Sequence, residues 1–372
     1  MTRIRVGLIF GGRSVEHDVS LVSARAVLSH LDRGRYEVVP IGITHDGRWL
    51  TSGDARGLLD GGLDRAQGTP ATLTGDPSVK GLVPIGNGHA AVALDVIFPL
   101  VHGTGGEDGT LQGLLELAGL PYVGSGVLGS SLGMDKGAMK AVFQSAGLAC
   151  APSILVTRRR IGEDAAGIAR DVEADLGYPC FTKPGNGGSS VGVCKVKSPA
   201  GLHAALQESA LYDRRILIEQ AVDGQEVECA VLGNEDPEAS VVGEIIPSNE
   251  FYDYSAKYLD EGSQLVIPAR ISDRQAETVR AMSLAAFKAL DLAGMARVDF
   301  FVRRRDGAVL INEVNTIPGF TPISMYPRLW EASGLGFAQL VDRLVKLAME
   351  RHEERQAIRR DYAPGQEAPG AR

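Results

Sequence analysis

The segment 297–319 near the end of the chain constrains the fold more than any other stretch. β-branched and aromatic residues flank an Asp-Gly turn signal there, and this pattern predicts a β-hairpin. Because side chains alternate along a strand, Arg297 and Asp299 are expected to share one face of the first strand. Glu313 and Asn315 share one face of the returning strand for the same reason. The hairpin can therefore present several polar groups on a single sheet face.

The length of the hairpin loop decides whether the two carboxylates face each other. A two-residue turn would place Asp299 opposite Val314, on the wrong face. A three-residue loop that ends at Gly307 places Asp299 opposite Glu313, and this is the register that we expect. Two carboxylates and the Asn315 amide on one face suit a hard cation such as Mg²⁺, which prefers oxygen ligands and usually also binds phosphate. The alternative is an amphipathic edge hairpin with solvated charges.

The length and charge of the chain exclude several classes of protein. At 372 residues the chain can form two or three domains with sizeable cores. A formal net charge of −8 provides no basic field to attract phosphates, which argues against a nucleic-acid-binding protein. The apolar runs are too short to span a bilayer, and the segment Met1–Val6 enters a strand without the apolar region of a signal peptide. We therefore expect a cytoplasmic protein whose four cysteines are reduced.

The first 133 residues predict an α/β domain with a doubly wound parallel sheet. The apolar run Ile4–Phe10 ends in two glycines, as a buried parallel strand does before a turn, and a helix separates it from a second strand at Tyr36–Ile43. The glycines do not form the G-x-G-x-x-G fingerprint, so a dinucleotide-dependent dehydrogenase is rejected. Residues 51–90 are rich in Gly, Asp, Pro and Thr with little periodicity, and we expect a loosely structured insert there.

A glycine-dense loop, His102–Gly109, follows the next predicted strand at Ala91–Leu100. The loop leads into a predicted helix at Thr110–Ala118. His102 either packs within this loop or contacts a ligand, and the sequence leaves both possibilities open.

A lysine at the end of a later strand introduces a second glycine-rich loop. The predicted strand delivers Lys183 to a loop with four glycines and two serines, and a further strand leaves the loop near Val193. Such a loop can turn backbone N–H groups toward phosphate oxygens while Lys183 supplies a cation. The G-K-[ST] ending of a P-loop is absent, so the phosphates would need a different architecture. A plain glycine-rich hairpin is the alternative.

The remaining elements complete three predicted domains and a tail. Strands are expected at Arg215–Gln220 and Glu226–Leu232, and a final helix near Phe337–Met349. The segment Asn249–Lys257 combines aromatic and charged residues without a regular period, as functional loops often do. The expected limits are 1–133 for the N-terminal substrate-binding domain, 134–213 for a central subdomain, 214–352 for a C-terminal subdomain, and 353–372 for a flexible tail.

Several motifs, in one order along the chain, carry a family resemblance. The ATP-grasp fold is suggested by Leu176-Gly-x-Pro, Lys183-Pro, the glycine/serine loop, Glu219, Asp299 and Asn312-Glu313-Val314-Asn315. The D-alanine–D-alanine ligase family within that superfamily is suggested by Glu16-His-x-Val-Ser-Leu21, His102-Gly-x-Gly-Gly-Glu-Asp-Gly109, Tyr252-Asp-Tyr-x-x-Lys257-Tyr258 and Asn315-Thr-x-Pro-Gly319. The chain resembles this family from Ile4 to about Leu347.

The resemblance implies an N-terminal α/β domain followed by a two-part ATP-grasp α+β module. The implied enzyme is a carbon–nitrogen ligase: ATP phosphorylates the carboxylate of one D-alanine, and the amine of a second attacks the acyl phosphate. The product, D-alanyl-D-alanine, is a peptidoglycan precursor. Phosphoryl transfer needs little covalent help and much charge neutralisation, which suits the clustered lysines and carboxylates. The resemblance also implies ATP as substrate, two Mg²⁺ or Mn²⁺ ions, a homodimer, and neither nucleic acid nor membrane as partner.

The resemblance assigns roles to residues by their positions in the motifs. The residues expected to hold the metal ions are Asp299, Glu313 and Asn315. Those expected to bind ATP are Lys136, Lys183, Ser190, Glu219, Gln220, Val222, Glu226 and Asn312. Those expected to bind the amino-acid substrates are Glu16, His102, Lys257, Ser324 and Met325. Those expected to take part in catalysis are Glu16, Ser189, Tyr258, Arg297 and Gly319.

Some of these roles are specific enough to be tested individually. Glu16 would pair with the ammonium of the first D-alanine; the alternative is a first-turn glutamate favoured by the helix dipole. Ser189 and Tyr258 would link with Glu16 when the loop that ends at Tyr258 closes. Arg297 would stabilise the negative charge of the tetrahedral intermediate. Many relatives have lysine where Gln220 stands, a change that is harmless if the contact with ATP is made through the backbone.

Three functions stay open at this point. The first is D-alanine–D-alanine ligation. The second is ligation of D-alanine to D-lactate or D-serine, although Tyr258 argues against the D-lactate enzymes, which typically lack it. The third is a non-catalytic nucleotide-binding module, against which the intact Asp299, Glu313 and Asn315 set argues. Release of ADP that depends on D-alanine would distinguish the enzymes from the binding module.

Overall fold

The computed structural model describes residues 2–60, 62–64, 68–86, 90–246 and 264–359. The strands are β1 (Ile4–Gly11), β2 (Tyr36–Ile43), β3 (Trp49–Thr51), β4 (Thr69–Leu73), β5 (Gly81–Pro84), β6 (Val92–Ala93), β7 (Val96–Pro99), β8 (Ser153–Thr157), β9 (Cys180–Pro184), β10 (Cys194–Val196), β11 (Arg215–Gln220), β12 (Gly224–Gly233), β13 (Glu238–Ile246), β14 (Gln264–Val266), β15 (Gly294–Arg303) and β16 (Val309–Asn315). The helices are α1 (His17–His30), α2 (Ala55–Asp60), α3 (Thr110–Leu117), α4 (Val127–Met134), α5 (Lys136–Ser145), α6 (Arg158–Glu163), α7 (Ala165–Asp175), α8 (Pro199–Ser209), α9 (Asp273–Ala289), α10 (Met325–Ala332) and α11 (Phe337–Gln356).

The first sheet has the strand order β6-β5-β4-β3-β2-β1-β7. Strand β1 pairs in parallel with both β2 and β7, which confirms the predicted parallel strands of an α/β fold. Gly11 at the end of β1 lies opposite Ile43 at the end of β2, so the loops that follow these strands meet at one edge. The parallel part of the sheet is limited to these three strands, because β3 to β6 extend it in the antiparallel sense.

The expectation of a loosely structured insert at residues 51–90 is wrong for the part of the insert that the structure describes. Strands β4 and β5 lie within it, and they bury Ala71, Leu73 and Leu82 in the same core as Ile9 and Ile41 of the central strands. The two strands have only 5 and 4 residues, so too few positions alternate for a period to stand out among the glycines and prolines.

The second sheet has the order β10-β9-β11-β8 and is antiparallel. Helices α7 and α8 cover it, burying Ile168 and Leu206 together with Ile216 and Ile218 of β11. The expected boundary after residue 213 would separate β11 from β8 and β9, the strands to which it is hydrogen-bonded. The domain limits themselves stay a prediction.

The third sheet is antiparallel, in the order β14-β13-β12-β15-β16. One face packs on α9 and α5, with Val298 and Phe300 of β15 against Phe287 and Phe143. Along β15 buried and half-buried side chains alternate, so every second residue points to the opposite face. Helix α9 begins with a capping box, in which the side chains at its first turn bond each other's backbone N–H groups.

The last helix is longer than predicted. Helix α11 continues past Met349 to Gln356, because its last turns bind the first domain. Arg351 donates a hydrogen bond of 2.7 Å to the Gly124 carbonyl, and its guanidinium lies 4.3 Å from the centre of the Tyr122 ring. The first residues of the expected tail are therefore helical. Among the described helices, none is long and apolar enough to cross a membrane.

Candidate active site

A cavity of about 1610 Å³ lies between α1 and the second and third sheets. It is lined by every predicted site residue that falls in the described part of the chain: Glu16, His102, Lys136, Lys183, Ser189, Ser190, Glu219, Gln220, Val222, Glu226, Arg297, Asp299, Asn312, Glu313, Asn315, Gly319, Ser324 and Met325. The predicted loop Phe251–Tyr258, with Lys257 and Tyr258, lies outside the described residues.

Strands β15 and β16 form the predicted hairpin, and Asp299 lies opposite Glu313 as predicted. The predicted three-residue loop is wrong, however. The Arg303 N–H donates to the Ala308 carbonyl at 2.9 Å, so the connecting loop consists of residues 304–307. A four-residue loop by itself shifts the pairing by one position, and another feature must restore it.

That feature is a β-bulge at Asn312. The register shifts by one residue between the Asp299 and Phe300 pairs, so two residues of β16 stand where one would fit in a regular ladder. The bulge breaks the alternation of side chains, and both Asn312 and Glu313 line the cavity. Asn315 follows two positions later on the same face.

On the cavity face, Arg297, Asp299 and Asn315 bond one another. The Arg297 guanidinium donates to both Asp299 oxygens at 2.8 and 2.7 Å, and the Asn315 amide donates to Asp299 at 3.0 Å. Glu228, on the neighbouring strand, lies 2.9 Å from the Arg297 guanidinium. Asp299, Glu313 and Asn315 offer only oxygen ligands with two negative charges, a set that fits Mg²⁺ or Mn²⁺. Because Arg297 already neutralises Asp299, a metal ion would share this carboxylate with it.

A buried carboxylate, Glu219, binds two lysines at the end of β11. Lys183 Nζ donates to it at 2.6 Å, and Lys140 contacts it from α5. Burial alone would raise the pKa of Glu219, but the charges of Lys140 and Lys183 outweigh burial and lower it. Burial likewise opposes the charged form of Lys183, yet the charges of Glu219 and Glu313 raise the pKa of Lys183. Lys183 is therefore held in its cationic form, which is the form that can bind an anion.

The glycine/serine loop between β9 and β10 is tied to the start of α5. Lys136 Nζ donates to the Gly187 carbonyl at 2.7 Å and lies 3.6 Å from the Glu313 carboxylate. Ser189 and Ser190 have φ angles of +50° and +59°, a left-handed conformation that is uncommon for residues other than glycine. Lys136 thus connects the loop to the carboxylates of the hairpin.

Glu16 joins the first domain to the same loop. The Ser189 hydroxyl donates a hydrogen bond to the Glu16 carboxylate, which is almost fully buried. Gly103 and Gly188 make room for it, because a Cβ atom on either glycine would lie 2.6 Å from a Glu16 carboxylate oxygen. The expected link between Ser189 and Glu16 is present, and the expected third member, Tyr258, lies outside the described residues.

Both ring nitrogens of His102 are hydrogen-bonded within the fold. Nδ1 lies 3.0 Å from the Ile317 carbonyl, which can only accept, so Nδ1 carries the proton and Nε2 accepts from the Ser23 hydroxyl at 3.1 Å. Burial lowers the pKa of His102 by more than the charge of Glu16 raises it, and this agrees with a neutral ring. His102 is therefore a packed histidine that also lines the cavity, and its contact with a ligand stays a prediction.

Glu107 was not expected at the site from the sequence, and it lies half-buried in the same loop as His102. Its two carboxylate oxygens accept hydrogen bonds from the Gly103 N–H at 2.7 Å and the Ile317 N–H at 2.8 Å. Burial and the charge of Glu16 raise the pKa of Glu107 to about 8. Glu107 fixes the loop of His102 to the segment that follows β16. Its position inside a quoted motif was the signal that could have found it.

Lys140 and Glu228 are two further buried charged residues that sequence reasoning missed. Lys140 lies four positions after Lys136, which places both on one side of α5. Glu228 lies two positions after Glu226 and shares its face of β12. These spacings were the available signals, but neither reveals the distant partner that each residue contacts.

The side chain of Gln220 is used within the fold. Its amide donates to the Leu176 carbonyl at 2.6 Å, and its backbone N–H donates to the Pro152 carbonyl at 3.0 Å. The side chain thus anchors the end of β11 to the end of α7. Gln220, Val222 and Glu226 all line the cavity, as expected for an ATP-binding wall.

The residues expected to bind the second amino acid surround a tight turn before α10. The Ser324 hydroxyl accepts from the Thr321 N–H at 3.0 Å. A Cβ atom at Gly319 would lie 2.8 Å from the Ser324 hydroxyl, so a larger residue there would displace it. Met325 is buried and packs near Gly243, so only part of it can face the cavity.

Comparison with known proteins gives a consistent result along most of the chain. A family model described as "D-ala D-ala ligase N-terminus" matches residues 5–125, and one described as "D-ala D-ala ligase C-terminus" matches residues 142–346. The D-alanine–D-alanine ligase of Thermoanaerobacter sp. (strain X514) is 49% identical over 358 residues, which cover 95% of this chain and 99% of that protein.

Two solved structures share the fold. The D-alanine–D-alanine ligase from Coxiella burnetii has a TM-score of 0.84 at 36% identity, covering 96% of this chain and 97% of its own. VanG D-Ala:D-Ser ligase from Enterococcus faecalis has a TM-score of 0.84 at 37% identity, covering 93% of this chain and 100% of its own. The predicted combination of an α/β domain with an ATP-grasp module is confirmed.

Proposed function

The chain belongs to the D-alanine–D-alanine ligase family, and we propose that it joins two D-alanine molecules with the consumption of ATP. The product is D-alanyl-D-alanine, made through a D-alanyl phosphate for peptidoglycan synthesis. One observation carries the proposal: Glu16, the glycine/serine loop, Lys183 and the carboxylates of the hairpin all line a single cavity. Groups suited to an ammonium, to phosphates and to metal ions are therefore within one enclosure.

Glu16 binds the ammonium of the first D-alanine in this proposal. Its carboxylate is buried, which strengthens an ion pair with the substrate relative to water. The Ser189 hydroxyl and the space left by Gly103 and Gly188 fix the carboxylate in place. The same contact brings the phosphate-binding loop next to the substrate.

Lys136 and Lys183 neutralise the phosphates of ATP. A carboxylate oxygen of the first D-alanine attacks the γ-phosphorus, the new O–P bond forms, and ADP leaves. Little covalent assistance is needed, because charge neutralisation lowers most of the barrier to phosphoryl transfer. Glu219, Gln220 and Val222 line the adenosine end, and Glu226 accepts from the ribose hydroxyls.

Asp299, Glu313 and Asn315 would hold Mg²⁺ or Mn²⁺, which neutralise phosphate charge when bound. Arg297 lies beside them and is itself held by Glu228 at 2.9 Å. With its guanidinium fixed in this way, Arg297 stabilises the negative oxygen that forms when the acyl carbon becomes tetrahedral.

The second D-alanine completes the reaction. Its amine attacks the acyl carbon, the C–N bond forms, the C–O bond to phosphate breaks, and the amine loses a proton. The Gly319 backbone, Ser324 and Met325 hold this second substrate. Lys257 and Tyr258 belong to a loop that excludes water while the acyl phosphate is present, a role proposed from the sequence motif alone.

Product analysis tests the proposed function. Incubation with ATP, Mg²⁺ and D-alanine should yield D-alanyl-D-alanine by mass spectrometry, and L-alanine should not replace D-alanine. A pocket that fixes ammonium, carboxylate and methyl groups at once misplaces one of them when the substrate is inverted. D-serine and D-lactate should each be offered with D-alanine, since one similar structure is a D-Ala:D-Ser ligase. Absence of the dipeptide, or equal use of L-alanine, would contradict the proposal.

We also propose that the protein is a homodimer and acts in the cytoplasm. Family resemblance supports the dimer, and the use of ATP supports the location. Light scattering coupled to size-exclusion chromatography gives the mass in solution, and a mass of one chain at micromolar concentration would contradict the dimer.

A further inference from the structure

Two histidines and an aspartate cluster where the first two strands end. Gly11 of β1 and Ile43 of β2 are opposite each other, which brings the start of α1 next to the turn after β2. One ligand atom from each of His17, Asp18 and His45 lies within 4.8 Å of the other two. The two imidazole rings stack, with their centroids 3.7 Å apart. None of these three residues has a role that the sequence motifs imply.

Hydrogen bonds orient both imidazole rings in the same way. His17 Nδ1 lies 2.8 Å from the Gly12 carbonyl, which can only accept, so Nδ1 carries the proton and Nε2 keeps its lone pair. His45 Nδ1 lies 2.7 Å from one Asp64 oxygen, and the His45 backbone N–H donates to the other at 3.1 Å. Histidines that bind metals generally donate their other ring N–H to a carbonyl or a carboxylate. Both rings have this arrangement.

We propose that His17, Asp18 and His45 bind a divalent transition-metal ion, for which Zn²⁺ is the best match. Two imidazole Nε2 atoms and one carboxylate oxygen form a three-ligand set that leaves the fourth tetrahedral position to water, a donor set typical of zinc. The all-oxygen set at Asp299 and Glu313 has the opposite preference, for hard ions such as Mg²⁺. The two sites therefore differ in chemistry as well as in position.

Binding of the ion requires small movements of side chains. Zn–N bonds of about 2.0–2.1 Å in a tetrahedron place ligand atoms about 3.3 Å apart, so the separations of up to 4.8 Å must shorten. Asp18 and His45 are exposed and can rotate toward His17, which is buried and fixed by its bond to Gly12. The stacked rings, now 21° from parallel, must also tilt so that both nitrogens point at the ion.

Metal titration of the full chain without ATP tests the site. Zn²⁺ is added in competition with a chromophoric chelator, and Co²⁺ is added in a parallel experiment to record the absorption of a tetrahedral site. The wild type should bind one equivalent of Zn²⁺ more tightly than His45→Ala and Asp18→Asn do. Asp64→Ala keeps all three ligands but removes the carboxylate that orients His45, so its affinity should fall about 10- to 100-fold.

His203→Ala is the matched control, because His203 is an exposed histidine on α8, outside the cluster. It should bind Zn²⁺ as the wild type does. His45→Ala is a change at an exposed turn. Its circular dichroism spectrum, and its rate of dipeptide formation without Zn²⁺, show whether the variant remains folded. Equal Zn²⁺ affinity and stoichiometry in the wild type and in His45→Ala would overturn the proposal. Unchanged affinity in Asp64→Ala would overturn the assignment of Nε2 as the ligand atom.

Discussion

The Lys140→Met variant tests how much stability the buried group around Glu219 contributes. The side chains of Lys140 and Glu219 are only 4% and 3% exposed, so solvent does not screen their interaction. Methionine keeps most of the aliphatic stem and removes the charge, leaving Glu219 with Lys183 at 2.6 Å. Removing one partner of a buried pair costs about 3–5 kcal/mol, and since Lys183 still neutralises Glu219 we expect a loss of about 2–3 kcal/mol.

Urea unfolding of the wild type and the variant measures this loss as a difference in the free energy of unfolding. Lys346→Met is the matched control, because Lys346 forms a 2.8 Å ion pair with Asp342 on the surface and is 55% exposed. Exposed pairs contribute about 0–1 kcal/mol. A loss below about 0.5 kcal/mol in Lys140→Met, or equal losses in the two variants, would refute the reasoning from burial.

The acid dependence of stability gives an independent measurement on the same variant. In the folded protein the pKa of Glu219 is lowered, because the charges of Lys140 and Lys183 outweigh the effect of burial. Its contribution to stability is therefore complete above the pKa of an unfolded glutamate and is lost as the pH falls through the folded pKa. Removing Lys140 raises the folded pKa, so acid unfolding followed by circular dichroism should begin at a higher pH. An unchanged acid transition would contradict this coupling.

Three further variants test the active site. Glu313→Gln removes a charge from the proposed metal ligands, so turnover should fall at least ~100-fold, about 2.7 kcal/mol of barrier, with an unchanged circular dichroism spectrum; near-normal turnover would make the hairpin charges structural. Ser189→Ala removes a hydrogen bond to Glu16. Because a hydrogen bond to a charged group contributes about 1.5–3 kcal/mol, the KM for the first D-alanine should rise about 10- to 100-fold. A KM at the wild-type value would contradict that role. Tyr258→Ala should release more phosphate than dipeptide, because water reaches the acyl phosphate. Equal amounts of phosphate and dipeptide in one assay would mean that Tyr258 only packs against its neighbours.

Two strands with a strong and simple pattern were predicted to the residue. The strands Tyr36–Ile43 and Arg215–Gln220 have the bounds that the sequence indicates, because strands inside a sheet form nearly continuous apolar runs. The antiparallel strands between residues 51 and 90 were missed, because a strand of four or five residues offers only two or three alternations. These strands are stabilised by pairing with the neighbouring strands of the sheet, and the local sequence does not reveal such pairing.

The residues that line the cavity were predicted better than the contacts between them. The motifs indicated Glu219 and Arg297, but their buried partners, Lys140 and Glu228, were not identified. A charged residue is stable in a protein interior only when an opposite charge or a hydrogen-bond partner lies beside it. That partner can come from any part of the chain, so periodicity and spacing along the sequence do not reveal it.

The β-hairpin shows how a correct pairing can follow from an incorrect loop. The loop is one residue longer than expected and the bulge inserts one residue in β16, so the two differences cancel at Asp299 and Glu313. Without the bulge, the ladder set by the four-residue loop would pair Asp299 with Asn312, and Glu313 would point to the opposite face of the sheet. The bulge therefore restores the pairing of Asp299 with Glu313 and keeps Asn315, two positions further on, on the same face. It also adds Asn312 to the cavity wall, beside Glu313.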